Sequence, residues 1–79
     1  MLSELNDAPR VIGVKQSMRA LREGRAKKVF LACDADPALT ERVEAQCAEI
    51  PVEHGFTMAQ LGAQAGIAVG AAVVTLLHR

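Results

Sequence analysis

Gly13 is followed by Lys15, Gln16 and Arg19 within the first turn and a half of a helical pattern. Lys15 and Arg19 are four apart and Gln16 and Arg19 three apart, so in a helix they share a face. The first N–H groups of a helix lack partners within it and carry partial positive charge, which attracts phosphate. Lys or Arg also suits the O6 and N7 atoms of guanine, and Gln adds hydrogen-bonding reach beside that end. A glycine just ahead of the first turn lets a ligand backbone come close. These residue types at this spacing suit contacts to phosphates and base edges. On spacing alone, a solvated helix face carrying ordinary cations is the simpler account.

No catalytic constellation stands beside them. His54 and His78 lie apart, and no Ser or Cys is placed near either by a recognisable motif. His54 reads as a solvated loop residue. Cys33 and Cys47 form no CxxC and have no His at metal spacing, so both read as buried, reduced thiols. Asp34 and Asp36 bracket a helix start, and capping accounts for Asp36 without a metal. Gly62, Gly66 and Gly70 are spaced by four but match no dinucleotide fingerprint. A non-enzymatic protein with no metal and no cofactor is expected.

The elements that must position these residues follow from the apolar pattern. Residues 1–8 read as a short helix ended by Pro9, and Val11-Ile12 as a brief strand punctuated by Gly13. Residues 15–23 read as a helix with Val14, Met18 and Leu21 on its inward stripe and Gly24 as its stop. Arg19 and Glu23 fall four apart, and Arg25, Lys27 and Lys28 cluster past the helix end. Val29 to Cys33 is continuously apolar, which suits a strand covered on both faces. Asp36 and Pro37 start a helix running to about Ala48, with Leu39, Val43, Cys47 and Ile50 facing inward. Ile50-Pro51-Val52 reads as a short strand. Thr57 and Gln60 match a capping box for a helix that Gly62 weakens and Gly66 ends. Val69 to Leu77 reads as the longest strand, with Gly70 to Ala72 letting helices approach the sheet.

Alternation of helix and strand argues a three-layer α/β/α sandwich around a four-stranded sheet. The 79 residues read as one domain, 1–79, with no repeats or linkers. Only Phe30 and Phe56 are aromatic, so the core rests on aliphatic side chains and no stacking platform for single strands is available. A formal net charge of zero counts against broad, sequence-blind nucleic-acid binding but leaves room for a compact site with a few local cations. The start of the chain lacks the basic and apolar runs of a signal peptide. The longest apolar run falls far short of the roughly 20 residues of a membrane span. The expected form is a cytoplasmic monomer with no membrane partner.

Three segments carry a resemblance. Ile12 to Leu21, Val29 to Pro37 and Leu61 to Val73 resemble, in order and separation, the bacterial YbxF-type branch of the kink-turn-binding ribosomal protein family, of L7Ae and L30e type. The resemblance implies a mixed four-stranded sheet and binding of kink-turn RNA, a sharply bent helix built on tandem sheared G·A pairs. By position, Gly13 matches the family glycine. Lys15 and Gln16 match the polar pair that enters the widened major groove, and Arg19 matches the downstream basic residue. Asp36 matches an acidic loop position that faces an extruded nucleotide in some relatives, against its capping role. Ile67, Ala68 and Val69 match the apolar loop that packs on that nucleotide, against a role for Ile67 and Val69 as strand-entry core. Structured RNA is the implied partner, with ribosomal RNA and ribosome association among the expectations.

The chain departs from the archaeal and eukaryotic pattern at two places. Lys15-Gln16 stands for Asn-Glu, which removes a charged acceptor for guanine N–H groups. Ala68 stands for a common Glu. With the zero net charge, these departures keep open a second reading: a protein-interaction module of the same fold with weak or no RNA binding.

Overall fold

In the computed structural model the described residues are 9–78, so the helix read over residues 1–8 lies outside them. The apolar run at Val29 belongs to the longest strand, β2 (Ala26–Ala32). Its side chains alternate between two cores. Val29 and Leu31 pack with Val43, Cys47 and Val73 on one face, while Phe30 and Ala32 pack with Leu61, Val74 and Leu76 on the other. Burial on both faces is why the run does not alternate in the sequence.

Around β2 the order is β1 (Arg10–Ile12), β4 (Val73–Leu77), β2, β3 (Val52–Phe56). β4 pairs antiparallel with both β1 and β2, and β2 pairs parallel with β3, so the sheet is mixed. Helices α1 (Val14–Arg22) and α2 (Pro37–Cys47) cover one face through Val14, Met18, Leu21, Leu39 and Val43. Helix α3 (Met58–Gln64) covers the other through Met58 and Leu61. This is the three-layer α/β/α sandwich expected from the alternation.

Local chemistry sets the helix ends. Asp36 Oδ1 accepts the Ala38 N–H at 2.9 Å with Pro37 in the first turn. Thr57 and Gln60 form both bonds of a capping box. Gly24 takes φ 71° just past the C-cap of α1, and Gly66 takes φ 82° past that of α3. Both are left-handed positions where a Cβ is unfavourable.

Four sequence expectations are corrected. The third strand is Val52–Phe56 rather than residues 50–52. Pro51 has no N–H to donate, and its carbonyl accepts from Val29 just ahead of the strand. The polar Glu53-His54-Gly55 segment is strand because β3 is an edge, where half-exposed positions tolerate such residues. β4 starts at Val73, not Val69, and is shorter than β2. Residues 67–72 form a loop laid against α3, where the Ala71 N–H bonds to the Met58 carbonyl at 3.0 Å. The small residues therefore admit this loop to a helix. A Cβ on Gly62 would collide with the Val69 carbonyl, and one on Gly70 would crowd the Met58 backbone.

Cys47 is a buried thiol as expected, whereas Cys33 is not buried and His54 lies on β3 rather than in a loop. Cys47 is buried, its Sγ donating to the Val43 carbonyl, and burial pushes its pKa up. Cys33 is free and exposed, because β2 ends at Ala32 and the chain has already turned outward. His54 is exposed, but its Nε2 lies 3.2 Å from Glu44 Oε2. No helix among the described residues is long and apolar enough to cross a membrane.

Candidate functional site

Strand directions gather the chemistry at one end of the sheet. The pairing sets the ends of β1, β2 and β3 beside the start of β4: Ile12 opposite Val74, Leu31 opposite Val73, Ala32 opposite Phe56. All three helices therefore begin at that end, and the 67–72 loop enters β4 there. Gly13, Asp36 and the Ala71–Ala72 exit of the loop, far apart in sequence, lie at one end of the sheet, and the Ile67 to Val69 segment runs along α3 toward it, with the Val69 carbonyl against Gly62.

Gly13 sits between β1 and α1 with φ 101° and ψ 160°, a region essentially reserved for glycine. Its N–H donates to the Val73 carbonyl at 2.9 Å, which ties the start of α1 to the start of β4. Its carbonyl accepts from Ser17. Gly13 has no side chain to cap α1, and the first turn holds no acidic residue. α2 and α3 both carry side-chain caps. Of the three described helices, α1 alone presents its orphan N–H groups without a side-chain acceptor.

Burial fixes the rotation of α1. Ser17 and Ala20 are fully buried, with Val14, Met18 and Leu21 beside them against the sheet. Lys15, Gln16 and Arg19 are left exposed on the outer face. Arg19 Nε lies 3.2 Å from Glu23 Oε2, and Arg25 Nε lies 2.9 Å from Glu23 Oε1. The hydrogen bond from Arg19 holds the Glu23 carboxyl below its ordinary range. Lys15 and Gln16 make no hydrogen bond or ion pair among the described residues.

Asp36 is exposed, with Oδ1 committed to its cap. Ile67 is half-buried against the Phe30 core, whereas Ala68 is exposed and Val69 is 71% exposed. Val69 is the only large apolar side chain so exposed among the described residues. The strand-entry reading therefore fails for Val69, and Ile67 anchors the loop that presents it.

Two supporting residues escape a sequence reading. Asp34 Oδ1 accepts the Met58 N–H at 2.8 Å, so the β2–α2 turn holds the start of α3. The acidic residue beside a helix start was legible, but its partner 24 residues away was not. Arg10 Nη2 donates to the Ala65 carbonyl at 2.7 Å and closes the far end of α3, where Gly66 turns into the loop. No local signal marks that contact, which spans 55 residues of sequence. No group of three metal-ligating side chains is assembled among the described residues, and no cavity opens among them.

The sequence profile of the ribosomal protein L7Ae/L30e/S12e/Gadd45 family matches residues 5–78. "RNA-binding protein YbxF" of Geobacillus stearothermophilus is 46% identical over 70 residues, covering 86% of this chain and 85% of that protein. "RNA-binding protein GK0100" of Geobacillus kaustophilus is likewise 46% identical over 70 residues, with the same coverage. Among solved structures, the Giardia lamblia 15.5kD RNA binding protein superposes with a TM-score of 0.81 at 20% identity, covering 89% of this chain and 61% of that one. At that identity the likeness is one of fold.

Proposed function

The chain belongs to the ribosomal protein L7Ae/L30e/S12e/Gadd45 family, and from that premise we propose that it is a non-enzymatic RNA-binding protein that grips kink-turn RNA at the Gly13 end of its sheet. What carries this reading is that α1 starts without a side-chain cap at the end of the sheet toward which the loop bearing the exposed Val69 runs. An uncapped helix start attracts phosphate, and an apolar loop tip shelters an unstacked base.

The roles follow from chemistry. Gly13 lets the RNA backbone approach the first N–H groups of α1. Lys15 and Arg19 supply cations to phosphate or to guanine O6 and N7, and Gln16 offers both a donor and an acceptor to a base edge. Ile67 seats the loop, and Ala68 and Val69 meet the extruded nucleotide. Asp36 lies beside it with one carboxylate oxygen left over from capping. Lys15-Gln16 brings positive charge where Asn-Glu would bring negative, which shifts the balance from base reading toward phosphate. The protein acts by binding the bent RNA conformer better than the extended one and so shifting the population toward it. It works as a cytoplasmic monomer, and ribosomal RNA is the first natural target to test.

The deciding experiment compares two duplexes at one salt concentration, one with the tandem G·A pairs and one with Watson–Crick pairs in their place. Binding to the first is expected to be tighter, on the order of a thousandfold. Equal affinity overturns the proposal. A salt-insensitive complex with a protein partner and no preference for the bent RNA would select the protein-interaction module instead.

A further inference from the structure

Zero net charge conceals a separation of charge along this chain. Six of the nine Lys and Arg residues fall between Lys15 and Lys28, and six of the nine Asp and Glu residues between Asp34 and Glu53. Lys15, Arg19 and Arg22 of the first block lie on α1, with Arg25, Lys27 and Lys28 at its exit into β2; of the second, Glu41 and Glu44 lie on α2 and Glu53 on β3, with Asp34, Asp36 and Glu49 in the segments between. Both helices lie on the same face of the sheet; within that layer α1 carries Lys15, Arg19 and Arg22 and no carboxylate, whereas α2 carries Glu41 and Glu44 against one cation, Arg42.

On α1, Lys15, Arg19 and Arg22 follow i, i+4, i+7 spacing and are all exposed. At 1.5 Å per residue they form a line roughly 10 Å long on the outer face of α1. Arg25, exposed just past the Gly24 turn with its N–H on the Ala20 carbonyl, extends the line. Arg19 and Arg25 share Glu23. Arg22 makes no hydrogen bond or ion pair among the described residues. The line begins at the proposed RNA site and leads away from it.

We propose that this stripe is a second RNA surface, carrying the phosphate backbone of the duplex stem that adjoins the bent motif, with Arg22 as a contact remote from the bend. The inference rests on the RNA-binding reading and extends it from the kink to the flanking stem. Charge complementarity and continuity with the helix start point to this occupant. On α2 the exposed Glu41 and Glu44 outnumber its one cation, Arg42, so α1 matches the phosphate backbone better than α2 does. Arg22 also sits in the last turn of α1, where a cation complements the helix dipole, so a purely structural role is the competing account.

Arg22→Gln and Arg22→Lys separate the two. The RNAs are a kink-turn with both stems long, the same RNA with each stem trimmed in turn, and a plain duplex. For R22Q, affinity for the long-stem RNA is expected to fall roughly fivefold to tenfold at 0.1 M salt, and the salt slope to drop by about one. R22K restores both, R22Q weakens plain-duplex binding in proportion, and trimming one stem abolishes the difference from wild type. An R22Q effect that is absent, or that persists unchanged when either stem is trimmed, overturns the stripe. Loss of preference for the bent RNA with the Arg22 dependence kept would instead sink the kink-turn reading and leave the stripe standing. No binding to any of these RNAs would overturn both.

Discussion

The Asp34 carboxylate accepts the Met58 N–H at 2.8 Å, and the Met58 carbonyl in turn accepts the Ala71 N–H at 3.0 Å. One backbone residue thus joins the β2–α2 turn, the start of α3 and the loop that presents Val69. Asp34 is exposed and touches RNA in none of the roles assigned above, yet it holds that loop's support in place.

Asp34→Ala is expected to lower stability by about 1 kcal/mol, the usual worth of a capping side chain. The intact Thr57–Gln60 box limits the loss. Affinity for kink-turn RNA should fall further than the stability change requires, because the loop loses its anchor. Asp34→Asn keeps an acceptor oxygen and should recover most of the affinity. Thermal unfolding alongside RNA titration checks this; equal binding by D34A and the parent would remove Asp34 from the site's support.

Gly62→Ala sets two effects against each other. Alanine gains about 1 kcal/mol over glycine in helix propensity. Its Cβ would meet the Val69 carbonyl, and overpacking of this kind costs about 1–3 kcal/mol. The obstacle is backbone, which cannot swing aside as a side-chain tip can. The net expectation is destabilisation, with the Val69 loop displaced and RNA affinity lowered. A Tm at or above the parent's would show that the loop yields freely.

Lys15→Ala with Arg19→Ala removes exposed cations that pack against nothing in the core. RNA binding should be abolished while Tm stays within a few degrees. A large fall in Tm would make these residues structural. Arg19→Ala alone has a titration signature. It removes the hydrogen bond that lowers the Glu23 pKa, so the Glu23 carboxyl should titrate higher, back toward its ordinary range. The folded value lies below the unfolded one. The pair's small contribution is therefore complete above the ordinary carboxylate range and lost as pH falls through the lowered value. Carboxyl carbon shifts of Glu23 followed against pH read this directly.

What the sequence made legible was local. Asp36 with Pro37, the Thr57–Gln60 box and Gly24 each act within one turn, so residue types alone locate them. Burial on both faces leaves β2 continuously apolar, which marks the centre of the sheet. The edge strand β3 carries Glu53, His54 and Gly55, because an edge can hold polar side chains, and its apolar signal is correspondingly faint. Val69 to Leu77 looked like one strand because Gly62 and Gly70 serve a close approach of loop to helix, which periodicity does not encode. Cys33 seemed to continue the apolar run, although pairing stops one residue earlier. In the candidate site, the Gly13 to Arg19 spacing by itself favours a solvated helix face, and only the resemblance carried by three separate segments turns it toward RNA. The contacts that bring the 67–72 loop to it, Gly13 to Val73 and Asp34 to Met58, depend on residues distant in sequence.

The most direct measurement is an amide chemical-shift titration of the labelled protein with kink-turn RNA. If one end of the sheet is the RNA site, the largest changes fall on Gly13 to Arg19, Asp34 to Asp36 and Ile67 to Gly70 together, while β3 and the outer face of α2 around Glu41 and Glu44 stay nearly still. Changes concentrated on β3 and α2, with Gly13 and Val69 unmoved, would contradict it.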